Sequence, residues 1–341
     1  MAAEQNPWLA TVIPVLNEEQ HIGNCLSSLI SQTLPSSEHM IFVIDGGSTD
    51  STVFIVNELI TKSKANRGPQ IVLLHNENRY VPHARNMALE HLPESITHIL
   101  EYNGHIASDP GHLFLLKSEW ERIAKRYPLL AALGCKVVGS SQKSTIVESL
   151  IDETLRNPFG GGPGQFSTFT REGETKTPAF ALHLRTALEK VKGWDERFIT
   201  SQDSDLSMRL IKEGFTLYRT PKVVVEMKRR TSLKSWYLMS HRYGFWRTKV
   251  LMKHPSRIVF REFLPLFGAM LTVGLFVFSF QWWLFPLLAY TSVLLLSGIY
   301  SSRKGIFNLL GVPLCLLILH VGFTIGLLDG SARKGRASRD R

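Results

Sequence analysis

The chain has 341 residues and a formal charge of +10, enough for one sizeable domain and a smaller appendage. Basic residues gather at 222–261 and 333–341, each beside a long apolar run, which fits a membrane surface and argues against nucleic acid. The three cysteines, Cys25, Cys135 and Cys315, are scattered and odd in number, so neither a disulfide framework nor a thiolate metal cluster is expected.

The polar N-terminus carries no signal-peptide pattern, which predicts a cytoplasmic first half. Residues 8–16, WLATVIPVL, form the first apolar run; Pro14 predicts that this strand ends at Ile13. Asn17 is expected to cap a helix over 21–30, with Glu18 and Glu19 in its first turn, where the helix dipole favours acids. Residues 40–44, MIFVI, are too short for a helix and rich in β-branched side chains, so they read as a buried strand. The run stops at Asp45-Gly46-Gly47, and Ser48, Thr49, Asp50 and Ser51 supply helix-capping side chains. Strand, glycine turn and capped helix make the ligand-binding corner of an open α/β sheet; the same chemistry also serves a plain strand-to-helix connection.

Residues 71–75 and 96–100 read as two further strands, the latter ending in Glu101-Tyr102-Asn103-Gly104-His105. Strands alternating with helical patterns predict βαβ units and a largely parallel sheet, with the polar residues at its carboxyl edge. Between them, Ala84-Arg85-Asn86 is expected to open a helix, where an arginine can meet a diphosphate. Asp109 and Pro110 are expected to start the next helix. Residues 129–140 read as another core strand, and the glycine-rich 159–167 as a lip over an acceptor site. No G-x-G-x-x-G follows the first strand, which excludes a dinucleotide dehydrogenase. The acidic Asn17-Glu18-Glu19 replaces the basic, glycine-rich loop that a nucleotidyltransferase would carry there.

Pro14-Val15-Leu16-Asn17-Glu18-Glu19, followed by Val43-Ile44-Asp45-Gly46-Gly47-Ser48-Thr49-Asp50, resembles the opening of family-2 glycosyltransferases, which have the GT-A fold and use nucleotide-diphosphate sugars. The resemblance gives nucleotide-sugar roles to Pro14, Glu18, Asp45, Arg85 and Asn103, with Asp50 shaping the turn. At the family's Asp-x-Asp metal motif this chain has Asn103 and His105. His105 is similar to the Asp-Ala-His-Ala of the exopolysaccharide, succinoglycan-type branch, and Asn103 replaces its aspartate. The resemblance therefore implies a divalent cation, Mn²⁺ or Mg²⁺, at Asn103 and His105.

Residues 192–198, KGWDERF, and 202–210, QDSDLSMRL, resemble the family's Gly-Phe-Asp-Glu and Glu-Asp-x-Asp-Leu blocks, which puts the catalytic base at Asp203. Asp203 and Asp205 also suit helix capping, Arg209 suits a helix pair with Asp205, and Gly214 suits a helix stop. His241-Arg242-Tyr243-Gly244-Phe245-Trp246-Arg247 resembles the branch's Arg-Tyr-Gly motif and implies acceptor contacts for Arg242 and Trp246. Basic residues mixed with aromatics there also suit a helix anchored in the membrane interface.

Residues 263–300 are nearly free of charge and fit two short spans with a break near 280–282; residues 306–328 fit a third. Three crossings would leave the basic tail outside, against the positive-inside tendency, so one of the three helices is not required to cross. The expected architecture is α/β: a GT-A (Rossmann-like, mostly parallel sheet) catalytic domain at 1–228, amphipathic interface helices at 229–257, a transmembrane region at 258–330 and a basic tail at 331–341. The expected protein is an integral membrane, inverting glycosyltransferase with a cytoplasmic catalytic domain. Its implied partners are a nucleotide-diphosphate sugar, a polyprenyl-diphosphate-linked acceptor and membrane lipids, not nucleic acid. A membrane scaffold of the same fold that has lost turnover is the alternative, favoured by the missing carboxylate at Asn103.

Overall fold

The computed structural model describes residues 6–141, 145–160, 169–278 and 280–333. In chain order its elements begin β1 (Leu9–Val15), α1 (Ile22–Ile30), β2 (His39–Asp45), α2 (Thr52–Ala65), β3 (Gln70–His75), α3 (Val81–His91), β4 (His98–Glu101), β5 (Ile106–Ala107), α4 (His112–Ala124), β6 (Leu130–Gly139) and α5 (Ile146–Arg156). There follow β7 (Gly173–Glu174), β8 (Leu182–Leu184), α6 (Arg185–Lys190), α7 (Gln202–Lys212), β9 (Thr216–Met227), α8 (Leu233–Lys253), α9 (Leu264–Phe278), α10 (Leu284–Ser302) and α11 (Asn308–Ala332). Two compact units emerge, Met1–Gly139 with Phe169–Lys228, and Ser140–Thr168 with Arg229–Arg341.

The first unit is built on one sheet with the order β3-β2-β1-β4-β8-β6-β9-β5, and β7 pairs with β9. The β3-β2-β1-β4 half is wholly parallel. The other half is mixed: β8 runs antiparallel to both β4 and β6, while β6 and β9 are parallel. Every residue of β2 is buried, as a strand covered on both faces requires. α1 buries Ile22, Cys25, Leu26 and Leu29, one stripe at helical spacing. Core residues from β1, β2, β4, β6, α3 and α7 join in a single cluster around Phe42, Ile99, Ala132 and Leu206.

Local expectations needed correction in four places. β1 continues through Pro14 to Val15, with Pro14 opposite Ile44 of β2. The Val12 carbonyl accepts from the Tyr102 N–H on the β4 side, and pairing with β4 stops at Val12–Glu101. Two residues on, Pro14 turns its missing donor to that same side, so no ladder bond is lost. Asn17, Glu18 and Glu19 lie before α1, whose first turn holds no acid. Arg85 sits in the second turn of α3 and is buried, not at the helix start. α4 begins at His112 behind Gly111, two residues later than Asp109-Pro110 suggests.

In the second unit, Phe260–Phe278, Leu284–Ser302 and Asn308–Ala332 are long and apolar enough to cross a membrane. The expected break is a single 3₁₀ turn, Phe280–Trp282. α5 buries Glu148 and Asp152, which hold Arg229 through its backbone N–H (3.1 Å to Glu148) and its Nε (3.2 Å to Asp152). Lys304 Nζ reaches Glu153 at 3.0 Å. α8 and α11 pack along their lengths, with Gly322 and Gly330 against Ser240 and Phe245. Small residues here let two backbones approach. Of the glycine-rich 159–167, only residues through Gly160 are described; the tail beyond residue 333 also lies outside the described residues.

Candidate active site

The two N-terminal motifs, distant in sequence, form one laced structure. The Asn17 N–H donates to Ser48 Oγ at 2.9 Å, and Asn17 Oδ1 accepts from the Thr49 N–H at 2.8 Å. Glu18 N–H donates to Thr52 Oγ1 at 2.8 Å and Glu19 N–H to Asp50 Oδ2 at 3.1 Å. Glu19 Oε2 accepts in turn from the Ser51 N–H at 3.0 Å. Asn17 has the left-handed φ of 54° that asparagine tolerates. Side chains that looked like helix caps therefore join the β1 and β2 ends, and Asp50 does both, its Oδ1 also accepting from the Thr52 N–H that opens α2, at 3.0 Å.

Asp45, at the tip of β2, accepts from the Gly47 and Ser48 N–H groups at 3.0 and 3.1 Å. His75 Nδ1, at the tip of β3, lies 3.7 Å from its Oδ2. Glu18 turns towards the β4 end, where its Oε1 lies 3.0 Å from His105 Nδ1. The Asn103 carbonyl accepts from the Cys25 thiol and from the Ile106 N–H. Asp45, Glu18, Asn103 and His105 thus occupy neighbouring strand ends.

No group of three or more His, Cys, Asp or Glu side chains suited to a metal occurs among the described residues. The Glu18–His105 pair does fit a cation with a single protein anchor. A metal-binding histidine commonly gives its other ring N–H to a carboxylate; with Nδ1 facing Glu18, His105 would hold a divalent cation through Nε2.

Beside these residues, Arg85, expected at a diphosphate, lies 3.4 Å from Glu101 Oε2, both nearly fully buried. His183 Nε2 and Trp194 Nε1 reach Glu101 Oε1 at 3.1 and 3.2 Å. Burial alone would raise the Glu101 carboxyl, but Arg85 and His183, with hydrogen bonds from His183 and Trp194, bring it down to about 2. Asn86 grips Trp194 at two points: its Oδ1 accepts from the Trp194 N–H at 2.8 Å, and its Nδ2 donates to the Trp194 carbonyl at 2.9 Å. Sequence reasoning gave no role to Glu101 and missed His183. The only signal was Trp194, inside the 192–198 block; nothing local marks His183.

α7 is fixed to the same turn. Arg209 donates to the carbonyls of Val191 (2.6 Å) and Gly193 (2.8 Å) and pairs with Asp205 at 2.8 Å. Gly214, with φ +84°, follows the helix end. Asp203 lies in the first turn, partly exposed, and its Oδ1 accepts from the Ser204 N–H at 2.8 Å. The cap position belongs to Ser201. Arg242 and Trp246 lie in the second unit on α8; Trp246 is buried, edge-on to Phe245 at 5.8 Å.

The sequence model of Glycosyl transferase family 2 matches residues 11–192, more than half of the chain. The chain belongs to that family. Its similarity to a Methanococcus voltae dolichyl N-acetyl-alpha-D-glucosaminyl phosphate 3-beta-D-2,3-diacetamido-2,3-dideoxy-beta-D-glucuronosyltransferase runs at 26% identity over 335 residues, 95% of this chain and 98% of that protein. The succinoglycan biosynthesis protein ExoA of Rhizobium meliloti is 25% identical over 268 residues, 77% of each chain. Among solved structures, the mannosyltransferase PcManGT from Pyrobaculum calidifontis, in complex with GDP-Man and Mn²⁺, aligns with a TM-score of 0.58 at 16% identity. That alignment covers 93% of this chain and 87% of the other, and it shows a shared fold. This family-2 glycosyltransferase thus has a GT-A-like sheet unit and a helical C-terminal unit.

Proposed function

We propose that the protein is an inverting glycosyltransferase moving a sugar from a nucleotide-diphosphate donor to a lipid-linked acceptor, in the assembly of a cell-surface glycan. The relatives' names, a dolichyl-phosphate sugar and succinoglycan, support that acceptor class. The observation that carries the reading is the lacing of residues 17–19 to 48–52, which sets Glu18, Asp45 and His105 around one edge of a family-2 sheet.

In this mechanism Pro14 and Asp45 border the nucleotide, with Asp45 fixing the turn against which it lies. Arg85 acts through Glu101, holding the β4 end in place. Asp203 takes the proton of an acceptor hydroxyl. The oxygen bonds to the anomeric carbon as the diphosphate leaves from the opposite face, so one displacement inverts the centre. His105, through Nε2, and Asn103 would hold Mn²⁺ or Mg²⁺, and the cation would supply charge neutralisation for a diphosphate leaving group. Arg242 and Trp246 are assigned to the acceptor side, and the apolar helices hold the protein at the membrane with its catalytic unit in the cytoplasm.

The test is Asp203→Asn in a transfer assay. Transfer should fall about 10²–10⁴-fold, while the donor still raises the melting temperature as in the parent. Near-parent transfer by a folded variant removes Asp203 from the role of base.

A further inference from the structure

α11 has the length and apolar composition of a membrane span. Its packing says something else. Trp236 Nε1 on α8 donates to the Cys315 carbonyl on α11 at 2.9 Å. Twelve residues further along both helices, Thr248 Oγ1 donates to the Leu327 carbonyl at 3.0 Å. Between them Ser240 Cβ lies against Gly322. Equal advance on both helices means that α8 and α11 run parallel and side by side, at about 1.5 Å per residue. Whatever depth α11 takes, α8 takes too.

α8 cannot serve as a span. It carries Lys234, His241, Arg242, Arg247, Lys249 and Lys253 along its whole length. Arg242 lies one residue from its midpoint, where a crossing helix meets the centre of the hydrocarbon and a charge is most costly. α11 adds Asp329, 3.5 Å from His241. α10 continues the layer in the reverse direction: Tyr290 Oη lies 3.1 Å from His320 Nδ1, and Gly298 lies against Leu309 and Pro313.

The outer face of α11 points to what covers the layer. Leu310, Leu314, Leu317, Val321, Ile325 and Leu328 are all exposed or half-exposed. At about 100° per residue they form one stripe, opposite the buried Cys315, Gly322, Gly326 and Gly330. A one-sided apolar stripe beside a basic helix is what an in-plane interfacial element presents to acyl chains and anionic headgroups.

The geometry points to a monotopic layer: α8, α10 and α11 lie along the bilayer surface, with the α11 stripe facing the acyl chains, and α11 does not cross. This inference is separate from the transferase reading, because its failure would leave the chemistry of the catalytic unit untouched.

Spin labels at Leu310→Cys, Leu317→Cys and Ile325→Cys, in the full chain in proteoliposomes, test it by depth. The three native cysteines are buried and give little background. An in-plane helix places all three labels within a few Å of one depth. A crossing helix places Leu317 deeper than Leu310 by about 10 Å, this being seven residues at about 1.5 Å each, and that result overturns the proposal. Sidedness gives an independent check in sealed, uniformly oriented vesicles, with Thr231→Cys and Ser256→Cys at the two ends of α8. An impermeant maleimide should reach both from the same side; labelling from opposite sides overturns the layer.

Discussion

Glu18 and His105, 87 residues apart in sequence, meet with Oε1 and Nδ1 3.0 Å apart. In metal sites a histidine commonly gives one ring N–H to a carboxylate while its other nitrogen binds the cation. Glu18→Gln should therefore weaken Mn²⁺-dependent binding of UDP or GDP about 10–100-fold, and His105→Ala should abolish it. The measurement is the nucleotide-induced thermal shift with and without Mn²⁺. A shift in Glu18→Gln equal to the parent's at every Mn²⁺ concentration would show that the pair does not serve a metal.

The Asn86–Trp194 clamp predicts a non-additive pair. Asn86→Ala leaves the Trp194 backbone unpaired and should cost about 1–3 kcal/mol. Gly193 has φ +64°, and a Cβ there would clash with Asn86 Oδ1. Gly193→Ala should cost about 1–3 kcal/mol for the backbone alone, with the clash in addition. In the double variant the clash is gone, so Gly193→Ala should cost less there than in the parent. Urea unfolding of the four proteins checks this.

Acid should destabilise the sheet unit through a buried imidazole. His39 is buried, bonded to Thr11 Oγ1 at 2.8 Å, and burial pushes it down to about 3. Below pH about 6.5 the unfolded chain binds a proton that the folded chain refuses, so this contribution is intact above 6.5 and is lost as pH falls towards 3. At pH 5 the loss is about 2 kcal/mol from His39. His98 and His112, both lowered to about 4 by burial, add to the same trend. His39→Gln should flatten the stability profile between pH 7 and 4, even where its stability at pH 7 is lower. An unchanged slope would mean that His39 is not held neutral.

Side-by-side packing of α8 and α11 predicts intolerance at Gly326, where a Cβ would meet the His241 carbonyl and the Phe245 N–H nitrogen. Backbone cannot yield as a flexible side chain can, so Gly326→Val should cost at least about 1–3 kcal/mol. It should also open the buried Cys315 to maleimide. Protection of Cys315 equal to the parent's would contradict the close approach.

Residues 40–44, 71–75 and the 192–210 block were legible because their signals are local: short apolar runs, turn glycines and an i,i+4 acid–arginine pair. The break at 280–282 was legible for the same reason, since one polar position interrupts an apolar run. Pro14 misled because its cost depends on which neighbour its nitrogen faces, and only the sheet register supplies that. Asn17 and Glu19 misled because the same side chains cap a helix or bridge two loops, and their partners lie about 30 residues away.

Sequence alone determined the strand–helix alternation, the family motifs and the presence of three apolar segments, because hydrophobic period and turn chemistry act between near neighbours. Tertiary structure decided the rest: that Glu18 holds His105, that Arg85 spends its charge on Glu101, and that α11 lies against a charged helix. Those are contacts between residues far apart in the chain, and no periodicity records which of many possible partners a buried charge will meet.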